Sequence, residues 1–433
     1  MKKTNPKKSL RWVRLDNAAK IFPAARRRNW SNLFRQSVTL TEEVDRDVLR
    51  SALAVTVKRF PTIAARLRKG MFWYYLEQLA EPPRVSHEQS YPLVYMSAKE
   101  MNRCALRVIA YQNRIAVEFF HSLTDGTGGT VFLKTLVAEY LEQKYGISVP
   151  AEKGVLDRRE TPSEEELEDS FLKYSGPVAA SRRDTNAWHI KGDPQPEGFL
   201  NLTCFRLPVS ELLERAHAHN ATLTMFLGAV LMKAILNLQK EKVPSPRRRK
   251  YVKLLIPVNL RKIFPSKSLR NFVLYVNPEL DPRLGDYTIE EILEVIRHKM
   301  GLELNQKHMS RLIATNVNDE RNPILRLVPL PIKNAVMKAV FDLSGERKSC
   351  LSMSNLGAFD IPDVMKPYVT RADFILGVQA AAPYNCGVLS YGDTAYVNFI
   401  RNTRQPDLER HFFLVLREMG IPTTVESNLK GEV

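Results

Sequence analysis

Cysteine is scarce: the 433-residue chain has four, Cys104, Cys204, Cys350 and Cys386. No pair has metal-ligand spacing and all four have apolar or strand-like neighbours, which argues against a metal cluster or a disulfide framework. Free buried thiols and no bound metal are expected. Long apolar runs are also missing. The longest candidate, Met225 to Met232, stops at Lys233, well short of the roughly 18 to 20 residues that span a bilayer. Met1 to Lys8 is charged with no apolar segment behind it, so it does not read as a secretory signal, and a cytoplasmic location is expected. No repeat of short period, helix-turn-helix or zinc-finger pattern is found.

Positive charge is what the sequence has in surplus. Lys and Arg number 64 against 47 Asp and Glu, a net charge of +17. Such a balance suits nucleic acid, an anionic membrane surface or a phosphate-bearing small molecule. The basic clusters are short: Arg26-Arg27-Arg28, Arg182-Arg183 and Arg247-Arg248-Arg249-Lys250. None is interleaved with aromatics as a single-strand binder requires. They read as solvated surface, and no nucleic-acid partner is expected. With 44% hydrophobic and 26% charged residues, the composition is that of a globular protein, and the length suffices for two domains.

Strand and helix patterns fall into two groups. In the first, a helix is expected to start at Thr41-Glu42-Glu43 and to end at Phe60-Pro61. Strands at Ala105 to Tyr111 and Arg114 to Phe120 are joined by Gln112-Asn113, a tight hairpin. Between Pro150 and Gly198 the chain turns polar and rich in breakers. Beyond it come a strand at Asn201 to Leu207 and helices at Pro208 to His217, Thr222 to Lys240, Ile289 to Asn305 and Ile324 to Asp342. Further strands fall at Tyr251 to Val258, Phe272 to Val276, Cys350 to Ser354, Ala372 to Gly377, Cys386 to Tyr391 and Ala395 to Ile400. The expected organisation is mixed α/β (α+β): a first lobe over residues 1–160, a crossover over 161–199 and a second lobe of similar size over 200–433.

One stretch, Phe119 to Gly129, stands apart. His121 and Asp125 lie four residues apart where a buried strand ends and a helix begins, with Gly126, Gly128 and Gly129 permitting close backbone approach. A neutral imidazole is the natural general base near pH 7 for a hydroxyl or amine. The spacing alone says little, because His189 and Asp193 repeat it inside the polar crossover, with no strand before and no helix after; that copy is read as coincidence. From the residues alone, His121 as a base stands level with His121 as a core histidine and Asp125 as a plain helix cap.

His121-Ser122-Leu123-Thr124-Asp125-Gly126 resembles the His-x-x-x-Asp-Gly motif of the coenzyme A-dependent acyltransferase superfamily. Other segments resemble it in family order. They are Leu15 to Pro23, Arg59 to Leu67, Pro257-Val258-Asn259-Leu260-Arg261 and Ser354-Asn355-Leu356-Gly357. Phe120 stands where condensation domains usually carry a second histidine, and no Asp-Phe-Gly-Trp-Gly segment of the plant enzymes is present. The resemblance is therefore nearest to bacterial alcohol acetyltransferase-like and condensation-domain-like proteins.

The resemblance implies two similar chloramphenicol-acetyltransferase-like lobes, each a mixed sheet with flanking helices, and a tunnel between them with His121 midway along it. It implies an O-acyltransferase using acyl-CoA as co-substrate, with no bound cofactor and an alcohol acceptor. His121 would be the general base, Asp125 a structural residue paired with Arg261, and Gly126 the residue keeping the tunnel open. Ser354 or Asn355 is the candidate for the developing oxyanion or for substrate. Arg247, Arg248 and Arg249 are candidates for the coenzyme A phosphates. Two other readings are a condensation-type enzyme taking thioesters from an acyl-carrier protein, and a non-catalytic binding member of the fold. Peripheral membrane contact is expected if the substrate is lipidic.

Overall fold

The computed structural model describes residues 12–26, 32–176, 185–321, 327–344, 346–379 and 382–429. Arg27, Arg28, Arg182 and Arg183 of the basic clusters lie outside the described residues. Among the described residues three sheets carry the fold. A five-stranded sheet runs in the order Val369–Leu376, Leu33–Leu40, Arg114–Phe120, Leu106–Tyr111 and Val85–His87. An eight-stranded sheet follows Val273–Val276, Val252–Asn259, Leu351–Ala358, Tyr384–Tyr391, Thr394–Arg401, Asn201–Pro208 and Thr424–Ser427. Glu279–Leu280 is added on Val252–Asn259. A small antiparallel sheet joins Trp12–Arg14, Tyr74–Gln78 and Ala65–Lys69.

The strands form where β-branched and aromatic residues alternate against a core. Leu106–Tyr111 and Arg114–Phe120 make the expected hairpin, with Gln112 in the left-handed region at φ 50°. Helix starts follow their capping side chains. The first long helix begins at Arg46, not at Thr41, because the Asp45 carboxylate accepts from the Asp47 and Val48 N–H groups. The helix expected over Thr222 to Lys240 is observed as Leu223–Lys242 with Thr222 as its cap, and Thr288 with Glu291 forms a capping box for Ile289–Glu303. The helix expected over Ile324 to Asp342 is observed as Leu330–Ser344, preceded by Gln306–Arg321.

Leu223–Lys242 is the one helix among the described residues long and apolar enough to cross a membrane, and 67% of its apolar window is buried in the fold. It packs between Ile289–Glu303 and Asp407–Glu418 as a core helix of the second half. Cys204, Cys350 and Cys386 are buried free thiols, as expected, and Cys104 is a half-buried one.

The second half does not keep to itself as the division at residue 200 implies. Val369–Leu376 leaves it and pairs antiparallel with Leu33–Leu40, becoming the edge of the first sheet. Sequence pattern marks a strand there but cannot give its partner, since both sheets offer apolar faces. The next strand, Tyr384–Tyr391, returns to the second sheet and passes so close that a Cβ on Gly387 would sit 2.4 Å from the Phe374 carbonyl oxygen. This crossing ties the two sheets together near the motif loop.

Candidate active site

The motif loop is held by its own chemistry. Arg114–Phe120 runs buried into it, and the Leu123 N–H donates to the Phe120 carbonyl in a tight turn at 2.9 Å. Asp125 caps the helix Gly126–Tyr145, its Oδ1 accepting from the Gly128 N–H at 3.1 Å. The helix ends on Gly146 at φ 67°, a left-handed position suited to glycine. The Ser122 hydroxyl donates to the Ala19 carbonyl at 3.0 Å, tying the loop to the N-terminal segment.

His121 is half-buried between two rings. Phe22 stacks on it at 4.4 Å between centroids, and Phe34 meets it edge-on at 5.1 Å. Asn271, from the other half of the chain, fixes how the imidazole is used. Its Nδ2 donates to the His121 carbonyl oxygen at 2.9 Å. A carbonyl only accepts, so that end of the amide must be the NH2 group. Its Oδ1 therefore faces His121 Nδ1, at 3.0 Å. An amide oxygen only accepts, so Nδ1 carries the hydrogen and the lone pair of the neutral ring lies on Nε2. The protons are assigned from this network.

Asn271 is in turn held by Asp16, whose Oδ2 accepts from both its backbone and side-chain nitrogens at 3.2 Å. Burial pushes the Asp16 carboxyl upward, opposed by the Arg270 guanidinium and by hydrogen bonds from Ala19 and Asn271.

Asp125 and Arg261 meet as the resemblance implies. Arg261 Nη1 lies 2.7 Å from Asp125 Oδ2, with side chains 11% and 1% exposed. The guanidinium does more than neutralise a carboxylate. Its Nε donates to the Ser268 carbonyl at 2.8 Å and its Nη2 to the Arg270 carbonyl. Asp125 Oδ2 also accepts from the Phe272 N–H at 2.8 Å, and the Thr124 hydroxyl donates to the Leu269 carbonyl at 2.6 Å. The loop 268–272 is thus bolted to the motif, and that loop carries Asn271.

No family model matches the sequence, and no curated protein matches it. Solved structures do match across nearly the whole chain. The trichothecene 15-O-acetyltransferase TRI3 from Fusarium sporotrichioides superposes with a TM-score of 0.61 at 11% identity, covering 96% of each chain. TRI101 from F. graminearum, solved with ethyl coenzyme A, gives 0.60 at 10% identity, covering 97% of this chain and 100% of its own. The condensation domain of the Monacolin K polyketide synthase MokA gives 0.56 at 11%, covering 94% and 96%. The chain has the two-lobed acyltransferase–condensation fold.

Within that fold, the other residues singled out from the sequence are placed unevenly. Gly126 does not border open space: a Cβ there would lie 2.6 Å from Leu356 Cδ2. Leu356 thus fills the space beside Gly126, and Phe22 covers one face of the imidazole. Leu356 brings the Ser354 to Gly357 segment against the motif helix. Within it, Asn355 is engaged locally, accepting from the Gly357 N–H at 2.8 Å and donating to the Thr224 hydroxyl at 3.1 Å. This argues against Asn355 as the oxyanion donor and leaves Ser354, half-buried on the strand Leu351–Ala358.

Arg247 and Arg248 are exposed in the short turn before Val252–Asn259, and Arg249 is spent on the Val243 and Pro244 carbonyls. Arg261 follows the other end of that eight-residue strand, about 25 Å away by strand rise. His189 sits in the irregular crossover, away from any such loop. Among the described residues no group of His, Cys, Asp and Glu could hold a metal ion.

Asp16, Phe22, Gln36 and Asn271 were not singled out from the sequence. Gln36 Nε2 donates to the Gly126 carbonyl at 2.8 Å. The only advance signal was at Asp16 and Phe22, inside the resembling segment Leu15 to Pro23.

Two predictions arise from this geometry. Burial holds the His121 imidazole below its ordinary pKa, against the pull of its own backbone, Asp125 and Asn271. The base form therefore persists to lower pH than for a free imidazole, and the acid limb of kcat/KM should fall below about pH 6.5. A limb at or above that value would contradict the assignment. Gly128 is the second case: a Cβ there would lie 2.1 Å from Thr124 Oγ1 and 2.3 Å from the Leu269 carbonyl oxygen. Gly128→Ala should displace the loop 268–272, costing about 1–3 kcal/mol of stability and lowering turnover. Denaturant midpoints and kcat measured on the same sample check both effects.

Proposed function

We propose that the protein transfers an acyl group from acyl-CoA to an alcohol, with His121 as general base and no covalent enzyme intermediate. The observation that carries the reading is the lone pair left on Nε2 by the Asn271 hydrogen bond. A nucleophile's proton needs a base within hydrogen-bond reach, and the Asn271 contact leaves the Nε2 lone pair for that task without a charged partner on Nδ1. The likeness in fold to a trichothecene 15-O-acetyltransferase and to TRI101 solved with ethyl coenzyme A supports the choice of donor.

The step balances simply. The alcohol O–H proton passes to His121 Nε2 as its oxygen attacks the thioester carbonyl carbon. The C–S bond then breaks, and the proton is returned to the leaving thiolate. The products are an ester and free coenzyme A. Asp125 and Arg261 act through position, holding the loop that carries Asn271. Ser354 is the candidate donor to the oxyanion, a role in which one hydrogen bond is worth about 100- to 1,000-fold in kcat.

The donor is tested by following free-thiol release from acyl-CoA and from acyl-carrier protein with the same alcohols. Release from acyl-CoA is expected. Release from the carrier-protein thioester alone would move the protein to the condensation-type reading, and the MokA likeness makes that arm worth running.

A further inference from the structure

We propose that the helix Leu330–Ser344 seats the protein on an anionic membrane surface through its outward face. A surface helix ordinarily turns its apolar stripe to the core and its polar residues to water. This helix departs from that pattern over its first turns, although Leu330 is buried and Lys338 is exposed. Ile332 and Val336 are each 55% exposed, and Ala335 and Ala339 are exposed on the same stripe. Leu327 at 74% and Met71 at 71% adjoin its start, where the Leu330 N–H donates to the Met71 carbonyl at 3.0 Å.

Two of its polar residues face inward instead. Lys333 is buried, with its ammonium 3.4 Å from the Trp73 ring centroid and 3.1 Å from the Phe72 carbonyl oxygen. Asn334 Nδ2 donates to the Tyr74 hydroxyl at 2.9 Å.

Charge decides the occupant. No acidic residue occurs from Arg321 to Phe341, Asp342 following near the helix end, and Lys338 on the helix and Lys69, two residues before Met71, are exposed. A second copy laid across this face would set lysines against lysines on a chain of net charge +17. An anionic leaflet attracts those lysines and accepts convex apolar side chains without needing a matching groove.

The face also lies close to the chemistry. The helix packs on Ile21–Ala25, whose Phe22 stacks on His121. The corollary, a lipid alcohol drawn from the leaflet as acceptor, rests on the acyl-transfer reading; the docking does not.

The test is flotation of the full chain with vesicles of phosphatidylcholine alone or with ~30% phosphatidylserine, at ~0.1 M and ~0.5 M salt. The anionic vesicles should bind at least ~10-fold more protein, and high salt should release most of it. The double variant Ile332→Glu/Val336→Glu should lose that binding by ~10-fold or more. Its unfolding midpoint should stay unchanged, since both positions are exposed. Lys69→Glu/Lys338→Glu should weaken binding and flatten its salt dependence.

Equal partition into both vesicles, or full binding by the Ile332→Glu/Val336→Glu protein, overturns the proposal. So does a light-scattering dimer that this variant turns into a monomer, which would give the face to a second copy. Thiol release with a water-soluble alcohol is run alongside without vesicles. Binding with no thiol release from acyl-CoA, whether the alcohol is water-soluble or carried in the vesicles, would sink the acyl-transfer reading and leave the docking standing.

Discussion

His121→Ala should lower the proposed acyl transfer by about 100- to 10,000-fold and leave the fold intact. That span is the contribution of a positioned general base. The ring is half-buried, and its removal leaves Asn271 still bonded to the residue 121 carbonyl and to Asp16, so the loop 268–272 keeps its anchors. The measurement is the initial rate of thiol release with matched circular dichroism spectra. His189→Ala is the internal control: it has the same spacing to an aspartate but no strand-loop-helix setting, and its activity should equal that of the unaltered protein. Full activity in His121→Ala would remove the base assignment, and a large loss in His189→Ala would show that the wrong histidine was chosen.

Arg261→Ala has the second large effect, on stability as well as rate. The Arg261–Asp125 pair is almost fully shielded, and removing one partner leaves the other charge buried and unpaired, at about 3–5 kcal/mol. The same change frees the Ser268 and Arg270 carbonyls, so the loop carrying Asn271 loosens and Nδ1 loses its fixed acceptor. Arg261→Lys should recover little, because one ammonium cannot span the three groups that Nε, Nη1 and Nη2 reach separately. Asp125→Asn keeps only one acceptor oxygen: with it capping Gly128, the amide NH2 meets the Phe272 N–H and the Arg261 guanidinium. Activity should therefore fall, with a loss of stability short of that in Arg261→Ala, which also frees two carbonyls. Denaturant midpoints and kcat for the three variants check the order. An Arg261→Lys protein as stable and active as the original would show that charge alone matters there.

What could be read from the sequence follows from what is local. His121, Asp125 and the flanking strand and helix occupy one continuous stretch, so residue type and periodicity placed them. Arg261 was reachable because a resembling segment surrounds it. Asn271 was not: it lies 150 residues from His121 and 255 from Asp16, and nothing about an asparagine before a phenylalanine announces a contact. The crossing of Val369–Leu376 into the first sheet was hidden for the same reason, since a strand pattern does not name its partner. The helix Leu330–Ser344 shows a different limit. Periodicity shows that a helix has apolar positions and does not show which of them turn outward, as Ile332 and Val336 do here.

The central claim, direct transfer with His121 taking the acceptor's proton, is tested most directly by rapid-mixing measurement of thiol release. Enzyme and acyl-CoA are mixed at comparable concentrations, with and without an acceptor alcohol. The account predicts release only when alcohol is present, one thiol per ester formed, and neither in His121→Ala. A stoichiometric burst of thiol without alcohol, or release that survives in His121→Ala, would contradict it.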